Sequence, residues 1–295
     1  MSTKSAFDPI IDTIIEALEK GVAPWRQTWE TCGGLVAVRN NLVPFTGFNQ
    51  LTLSLVQSQR GYTSPVWLTY NQAQEAGGQV RKGERNTPGL LFKQSATKDS
   101  DDEVSDAPKA YAKVYALFNA CQCDGLPAEL MRRAEVPSAT SHDVIDLIEA
   151  CGMTIVQDGS MPRYNIMTDR IHMPPAAMFE TMEEWVGTAL HECAHGTGAP
   201  SRLNRTSLID YTGDNRSIEE LVAELSAYRL ATALNFPPST ATQDNHIAYL
   251  AGWAEIIKRD RAKLAEAAAL SQRAVDYILS KRAAMRNDFR FSVAA

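Results

Sequence analysis

The amino-acid sequence predicts an α+β protein of two domains: an N-terminal domain that mixes helix and strand, and a C-terminal domain that is rich in helix. The chain has 295 residues, about twice the length of a typical domain. Strand-like alternation occurs in the first half, whereas apolar residues recur at helical spacing through the second half. We place the domains at 1–125 and 141–295, joined by a linker at 126–140 in which Pro127 and Pro137 bracket a polar run.

The first predicted element is a helix that begins at Asp8 and ends at Gly21. Aspartate is a favoured N-cap, the proline that follows it fits the first helical turn, and glycine often follows a helix C-terminus. Four apolar residues recur at helical spacing between these ends: Ile11, Ile14, Ile15 and Leu18. Over 31–74 there is little helical periodicity, so no helix is predicted there.

Two strands are predicted next, at 89–93 and 111–119, and the second alternates strictly between its two faces. The segment 95–107 between them is polar and acidic, which predicts a disordered hairpin loop or an insertion.

The second half begins with a predicted helix at 141–150. Strands, helices and a last long helical segment are predicted after it, at 154–158, 164–174, 181–195, 218–234 and 245–285, with a loop at 196–216.

Composition excludes several classes of protein. Hydrophobic residues make up 44% and charged residues 22% of the chain, which excludes a mostly disordered protein. No apolar run approaches the roughly 18 residues that span a bilayer, and the N-terminus lacks the apolar core of a signal peptide, so no membrane association is expected. Five cysteines are an odd number without a disulfide-like spacing. We therefore expect a cytoplasmic protein.

The net charge of −6 argues against a general nucleic-acid binder. The charges are unevenly spread, however, because five acidic residues of the first half lie within 95–107. Outside that segment, residues 1–125 hold 11 basic and 8 acidic residues, and the stretch 31–74 contains no acidic residue. A local basic patch is therefore compatible with the sequence.

The strongest chemical signal is His191-Glu192-Cys193-Ala194-His195, an H-E-x-x-H pattern inside a predicted helix. Residues four apart lie one turn above each other, so the two imidazoles can bind one ion. Glu192 lies where it reaches the attacking water rather than the ion. The pattern predicts one Zn²⁺ or other divalent metal ion per chain, with His191 and His195 as ligands and Glu192 as the catalytic base. Cys193 is predicted to point away from the metal, as a core thiol.

A catalytic zinc ion usually takes a third protein ligand. Glu220 and Glu224 lie on one face of the next predicted helix. We assign Glu220 as the ligand and Glu224 as the residue that orients a ligand imidazole, and the reverse assignment stays open. A third histidine at the metzincin spacing is excluded, because position 201 is serine.

Two further roles at this site have candidate residues: substrate binding along a strand and donation to an oxyanion. Residues 170–173 are predicted to form the sheet edge along which an extended substrate lies. His246, Tyr211 and Tyr249 are candidates for the donor to a developing oxyanion, and the sequence does not choose among them.

Aromatic residues and a basic turn in the first half are typical of single-strand binding, in which bases stack on rings and cations follow phosphates. The stacking candidates are Trp25, Trp29, Trp67 and Tyr70. The phosphate candidates are Arg26, Arg81, Lys82 and Arg85. Because aromatic residues are also ordinary core residues, some of these rings are expected to be buried.

Several motifs, in order along the chain, carry a resemblance to a known family. In the first half they are LEKGVAPWR at 18–26, TGFN at 46–49, WLTY at 67–70, GGQVRKGE at 77–84 and FN at 118–119. In the second half they are HECAH at 191–195, Gly198, RLNR at 202–205 and EELVAE at 219–224. The chain resembles the ArdC-type antirestriction proteins, which include the primase-associated TraC type of conjugative plasmids. It departs from the family pattern near position 44, where only the TGFN segment remains.

The resemblance implies an N-terminal domain that binds single-stranded DNA and a C-terminal zincin-like metallopeptidase domain. It also implies a plasmid-encoded protein that protects incoming conjugated DNA from host restriction, with restriction enzyme subunits as candidate partners. A second hypothesis is a zinc metalloprotease that cleaves a host protein and uses the N-terminal domain for targeting. A third, a DNA mimic that inhibits restriction enzymes directly, requires a denser acidic surface than a net charge of −6 supplies.

Overall fold

The structure is a computed structural model that describes residues 5–24, 36–94, 110–131, 139–236 and 244–292. The helices are α1 (Asp8–Glu19), α2 (Gly47–Gln59), α3 (Tyr70–Glu75), α4 (Ser141–Ala150), α5 (Met182–Gly196), α6 (Thr206–Ile209), α7 (Gly213–Ala233), α8 (Asp244–Arg259) and α9 (Ala262–Ser292). The strands are β1 (Val38–Arg39), β2 (Val66–Leu68), β3 (Gln79–Val80), β4 (Thr87–Gln94), β5 (Ala110–Asn119), β6 (Cys123–Asp124), β7 (Thr154–Gln157), β8 (Arg163–Asn165) and β9 (Arg170–Met173). The predicted α+β class is confirmed, because helices and sheets occur in both halves of the chain.

A four-stranded sheet with the order β1-β2-β5-β4 forms the centre of the first half. Its hairpin of β4 and β5 is antiparallel, with Thr87 opposite Leu117 and Gln94 opposite Ala110. This hairpin confirms the two strands predicted from the sequence. The acidic segment 95–107 lies outside the described residues.

Helix α2 was not predicted from the sequence. Nine of its 13 residues are buried, because it lies between β4 and α9. A helix that is buried on most sides lacks a polar stripe, so its sequence shows little amphipathic periodicity. The Asn49 side chain of α2 exchanges two hydrogen bonds of 2.7 Å with the backbone of Leu90, which anchors the helix to the edge strand β4.

A shared hydrophobic core joins the two halves of the chain. Apolar side chains of α1 and α2 pack in one cluster with those of α7, α8 and α9, among them Ile14, Leu18, Leu51, Leu221 and Trp253. Polar contacts follow the same path, because Gln272 of α9 accepts from both Arg229 of α7 and the Gly47 N–H at the start of α2. The halves are therefore packed against each other and not merely linked in sequence.

The sheet of the second half has the order β7-β9-β8 and packs against α5. The prediction that residues 170–173 form the sheet edge is wrong, since this strand, β9, pairs with β7 on one side and β8 on the other. The segment 164–174 is not continuous, because the chain turns at Asp169, which has a φ of 53°. The edge beside α5 is the three-residue β8, too short to show a strand pattern.

The predicted helical segment at 245–285 consists of two helices, α8 and α9. Asp260 separates them, and its carboxylate accepts from the Ala262 N–H at 3.0 Å, as a capping aspartate does. In the described part of the chain, no helix is both long and apolar enough to cross a membrane.

Candidate metal centre and nucleic-acid surface

Helix α5 carries the H-E-x-x-H pattern on the side that faces α7. It begins after Thr181, whose side-chain oxygen accepts from the Glu184 N–H at 3.1 Å. Its rotation is set by apolar side chains that pack in the core of the second half: Trp185, Val186, Ala189, Leu190 and Cys193. With that face buried, the Nε2 atoms of His191 and His195 lie 3.1 Å apart.

Helix α7 places Glu220 beside both histidines. Its carboxylate lies 3.4 Å from His191 Nε2 and 3.8 Å from His195 Nε2, and one donor atom of each residue lies within 4.8 Å of the others. The ligands of Zn²⁺ stand about 2.0–2.2 Å from the ion, so neighbouring donors lie roughly 3–4 Å apart. Two imidazoles and one carboxylate at this spacing fit a divalent cation.

Glu224 lies one turn further along the same face of α7. Its Oε2 is 3.8 Å from His191 Nδ1, the ring nitrogen on the opposite side from the one that meets Glu220. This geometry favours Glu220 as the ligand and Glu224 as the group that orients His191, the assignment preferred from the sequence.

Glu219, which orients the other histidine, was not predicted from the sequence. Its Oε1 accepts from His195 Nδ1 at 3.1 Å, and its Oε2 accepts from Arg205 Nε at 2.9 Å and from the Ser207 hydroxyl at 2.6 Å. Because Nδ1 carries the donated proton, Nε2 of His195 is the nitrogen that meets the other ligands. The HECAH motif at 191–195 and the EELVAE motif at 219–224 are both visible in the sequence. Adjacent residues of a helix point in different directions, however, so the spacing of the glutamates does not show that Glu219 meets His195.

The charges of the site set its protonation in the ion-free protein. Burial raises the pKa of Glu219, but hydrogen bonds from Arg205 and His195 outweigh it and lower the pKa to about 2. Burial also raises the pKa of Glu220, and the hydrogen bond to His191 outweighs it, which again gives about 2. Burial lowers the pKa of His191, whereas Glu220 and the neighbouring site carboxylates raise it to about 9. A divalent cation would replace that proton.

Glu192 lies beside this cluster and is buried. Its Oε2 accepts from the backbone N–H of Tyr164 at 2.6 Å. Tyr164 belongs to β8, so the free edge of the sheet faces the carboxylate that the sequence predicts as a base. An extended peptide can pair with such an edge.

Of the three candidates for an oxyanion donor, Tyr211 lies at the site. Its hydroxyl donates to Glu220, and its ring centroid is 6.4 Å from that of His195. His246 and Tyr249 belong to α8, and their side chains are not among those that the structure describes.

The predicted stacking residues divide into buried and exposed rings. Trp67 has no exposed surface, and its indole N–H donates to Gln57 at 3.3 Å. Its assignment as a stacking residue is therefore wrong, because it is a core residue of the first half. Tyr70 is 43% exposed. Three other candidates lie outside the described residues: Trp25, Arg26 and Trp29.

The basic turn at 81–85 is held in place by ion pairs. Arg81 donates to Glu84 at 2.7 Å and to Asp124 at 3.3 Å, so much of its charge is compensated within the protein. The hydrogen bonds to these two carboxylates raise the pKa of Arg81.

Three other cations of this region are exposed: Arg60, Lys82 and Arg85. Arg60 was not predicted from the sequence as a phosphate contact. It donates to the backbone oxygen of Arg85 at 3.1 Å, although the two residues are far apart in sequence. We call these three residues the basic surface.

Two sequence families match this chain. Residues 142–270 match the zincin-like metallopeptidases, and residues 4–119 match the N-terminal domain of the anti-restriction factor ArdC. The metal-free crystal structure of the antirestriction protein ArdC from plasmid R388 superposes with a TM-score of 0.78 and 32% identity, over 94% of this chain and 97% of that one. The chain belongs to the ArdC antirestriction family.

A second structure of the R388 protein and two sequence relatives extend this comparison. A Mn(II)-bound structure of the R388 ArdC protein superposes with a TM-score of 0.77 and 31% identity, over 94% of this chain and 98% of that one. A DNA primase TraC of Escherichia coli is 32% identical over 94% of this chain, which spans 27% of the length of TraC. Protein y4eC of Sinorhizobium fredii is 28% identical over 96% of this chain and 95% of its own length.

Proposed function

We propose that this ArdC family protein binds single-stranded DNA, protects incoming conjugated DNA from host restriction, and acts as a metal-dependent peptidase through its second half. The observation that carries the proposal is the cluster of His191, His195 and Glu220 in a chain that begins with an ArdC N-terminal domain. It supports a chemical activity in addition to binding.

The residues that would hold the ion are His191, His195 and Glu220, with one Zn²⁺ or other divalent cation per chain. Two imidazoles and a carboxylate are a donor set that suits Zn²⁺, and the R388 ArdC protein has been crystallised with Mn(II). Bound there, the ion polarises a substrate carbonyl and lowers the pKa of a water molecule.

Glu192 is the general base in this proposal. It accepts a proton from the attacking water and later donates it to the leaving amine. Its contact with the Tyr164 N–H supports this role, because the contact holds the carboxylate at the sheet edge where a peptide would lie. Glu219 keeps His195 in the tautomer that exposes Nε2.

The first half supports the DNA part of the proposal. Tyr70 is exposed, and its hydroxyl accepts from the Gln79 side chain at 2.8 Å, two residues before the basic turn begins. This contact attaches the exposed ring to β3, the strand that leads into the basic turn with Lys82 and Arg85. Single-strand binding uses rings of this kind for stacking and cations for the phosphates. Host restriction enzyme subunits are candidate protein substrates.

One purified sample tests both parts. We expect elemental analysis to find about one divalent ion per chain, and fluorescence anisotropy to find tighter binding to a single-stranded oligonucleotide than to the matching duplex. If no metal is bound after incubation with an excess of divalent ions, the peptidase function is excluded. If duplex and single strand bind equally well, the single-strand preference is excluded.

The alternative is a metalloprotease that uses the first half only for targeting. The complete set of ligands and base at the site favours activity of this kind. If this alternative is correct, restriction subunits are cleaved in the absence of DNA, and substitutions in the basic surface do not affect the cleavage. Protection in conjugation assays then requires Glu192.

A further inference from the structure

Tyr211 places a hydroxyl group at the candidate metal centre, although it is not one of the predicted ligands. It lies between α6 and α7, and its hydroxyl donates to Oε1 of Glu220. The same oxygen is 3.8 Å from His195 Nε2. We infer that Tyr211 is a catalytic residue, whose hydroxyl donates a hydrogen bond to the oxyanion formed from the scissile carbonyl. This inference rests on the proposed peptidase function.

The position of Tyr211 is held from both sides. The preceding residue, Asp210, accepts from Thr212 Oγ1 at 2.8 Å and from Asn215 Nδ2 at 3.0 Å, which fixes the backbone turn. The guanidinium of Arg216 lies over the tyrosine ring, 5.5 Å from its centroid, a favourable cation–π contact. Such a held ring can keep its hydroxyl near the site with little cost in conformational entropy.

Tyr211 is more exposed to solvent than the groups that only orient the ligands. Arg205, which holds Glu219 in place, is 4% exposed, whereas Tyr211 is 39% exposed. Glu220, the group that Tyr211 touches, is itself 6% exposed. Tyr211 therefore contacts both the buried cluster and the solvent.

The chemistry of amide hydrolysis uses such a donor. When the water oxygen bonds to the carbonyl carbon, Glu192 takes the water proton and the π electron pair moves onto the carbonyl oxygen. The Tyr211 hydroxyl turns from Glu220 to this oxygen and keeps its own proton. When the C–N bond breaks, the oxygen returns its electron pair to the carbonyl and Glu192 protonates the amine. A donor aimed at charge that develops in the transition state accelerates that step.

The test compares the full-length wild type with Tyr211→Phe in two binding measurements that need no turnover. Zn²⁺ affinity is measured by competition with a chelating dye, and acetohydroxamate affinity of the Zn²⁺-loaded proteins by calorimetry. We expect Zn²⁺ affinity to stay within about threefold and acetohydroxamate to bind roughly ten- to a hundredfold more weakly, because the variant cannot donate a hydrogen bond to the charged oxygen. Hydrolysis of casein should fall about 10²- to 10³-fold in kcat, with KM little changed.

A purely orienting role gives the opposite pattern. Loss of a group that only positions Glu220 would weaken Zn²⁺ binding roughly 10- to 100-fold and leave acetohydroxamate affinity of the loaded protein unchanged, which would overturn the inference. Tyr277→Phe, in α9, is the matched control. If the wild type binds no Zn²⁺, the proposed function itself fails. If the wild type binds Zn²⁺ and acetohydroxamate and Tyr211→Phe matches it in both, only the role of Tyr211 is refuted.

Discussion

Arg205 Nε donates to Glu219 Oε2 across 2.9 Å, and both side chains are buried. The pair joins the segment after α5 to α7, and the same carboxylate accepts from His195 Nδ1. A buried carboxylate is costly unless it is paired and hydrogen-bonded. The orientation of a candidate metal ligand therefore depends on an arginine outside the motif.

The first prediction concerns this pair. Arg205→Ala should lower the free energy of unfolding by about 3–5 kcal/mol, because it leaves the Glu219 charge buried without its partner. Glu219→Gln should be milder in stability but should weaken metal binding roughly 10- to 100-fold. Denaturant unfolding and metal titration measure the two effects. The control is Arg259→Ala, which removes an exposed ion pair with Asp214 and should change neither quantity appreciably. Unaltered metal affinity in Glu219→Gln would show that His195 needs no orienting group.

The second prediction concerns pH. Carboxylates raise the pKa of His191 to about 9 in the ion-free protein, so its imidazole is protonated at pH 7. A metal ion requires the neutral form, so binding at pH 7 should release about one proton, and the apparent affinity should fall about tenfold for each unit of pH below 9. Calorimetry in buffers of different ionisation enthalpy measures the released proton. Binding without proton release at pH 7 would contradict the prediction.

The third prediction separates the roles of the site carboxylates. Glu220→Gln should weaken Zn²⁺ binding far more than Glu224→Gln, because only Glu220 lies within reach of both Nε2 atoms. Glu192→Gln should preserve metal content and abolish peptide hydrolysis, since it removes the base and no ligand. Glu180→Gln, an exposed position before α5, is the control. Metal loss in Glu224→Gln with binding kept in Glu220→Gln would reverse the ligand assignment.

The fourth prediction concerns the basic surface. Replacing Lys82 or Arg85 by alanine should reduce the slope of log affinity against log salt by roughly 0.7 for each DNA phosphate that the removed cation neutralised. Tyr70→Ala should cost about 1–3 kcal/mol of binding if a base stacks on the ring. Anisotropy with single-stranded DNA at several salt concentrations measures both effects. Lys20→Ala, at the end of α1 and away from the basic turn in sequence, is the control. Equal slopes in the wild type, Lys82→Ala, Arg85→Ala and Lys20→Ala would place the DNA contacts elsewhere.

Much of the fold follows from local patterns. The spacing of Ile11 to Leu18 predicted α1, the alternation before Asn119 predicted β5, and the i, i+4 histidines predicted a pair of imidazoles on one face of α5. Each of these depends on the backbone period of a single element, which the sequence carries directly.

The way in which the elements pack against one another does not follow from these local patterns. Trp67 is a core residue and not a surface ring. Helix α2 shows little helical period in its sequence because it is buried on most sides. Strand β8 is an edge because it pairs with β9 on one side only. The sequence determined by itself that His191 and His195 share a face and that acidic residues follow on a second helix. Only the tertiary structure decided that Glu219 meets His195 while Glu220 meets both imidazoles, because successive helix residues are about 100° apart and the packing of α7 on α5 selects which of them face the site.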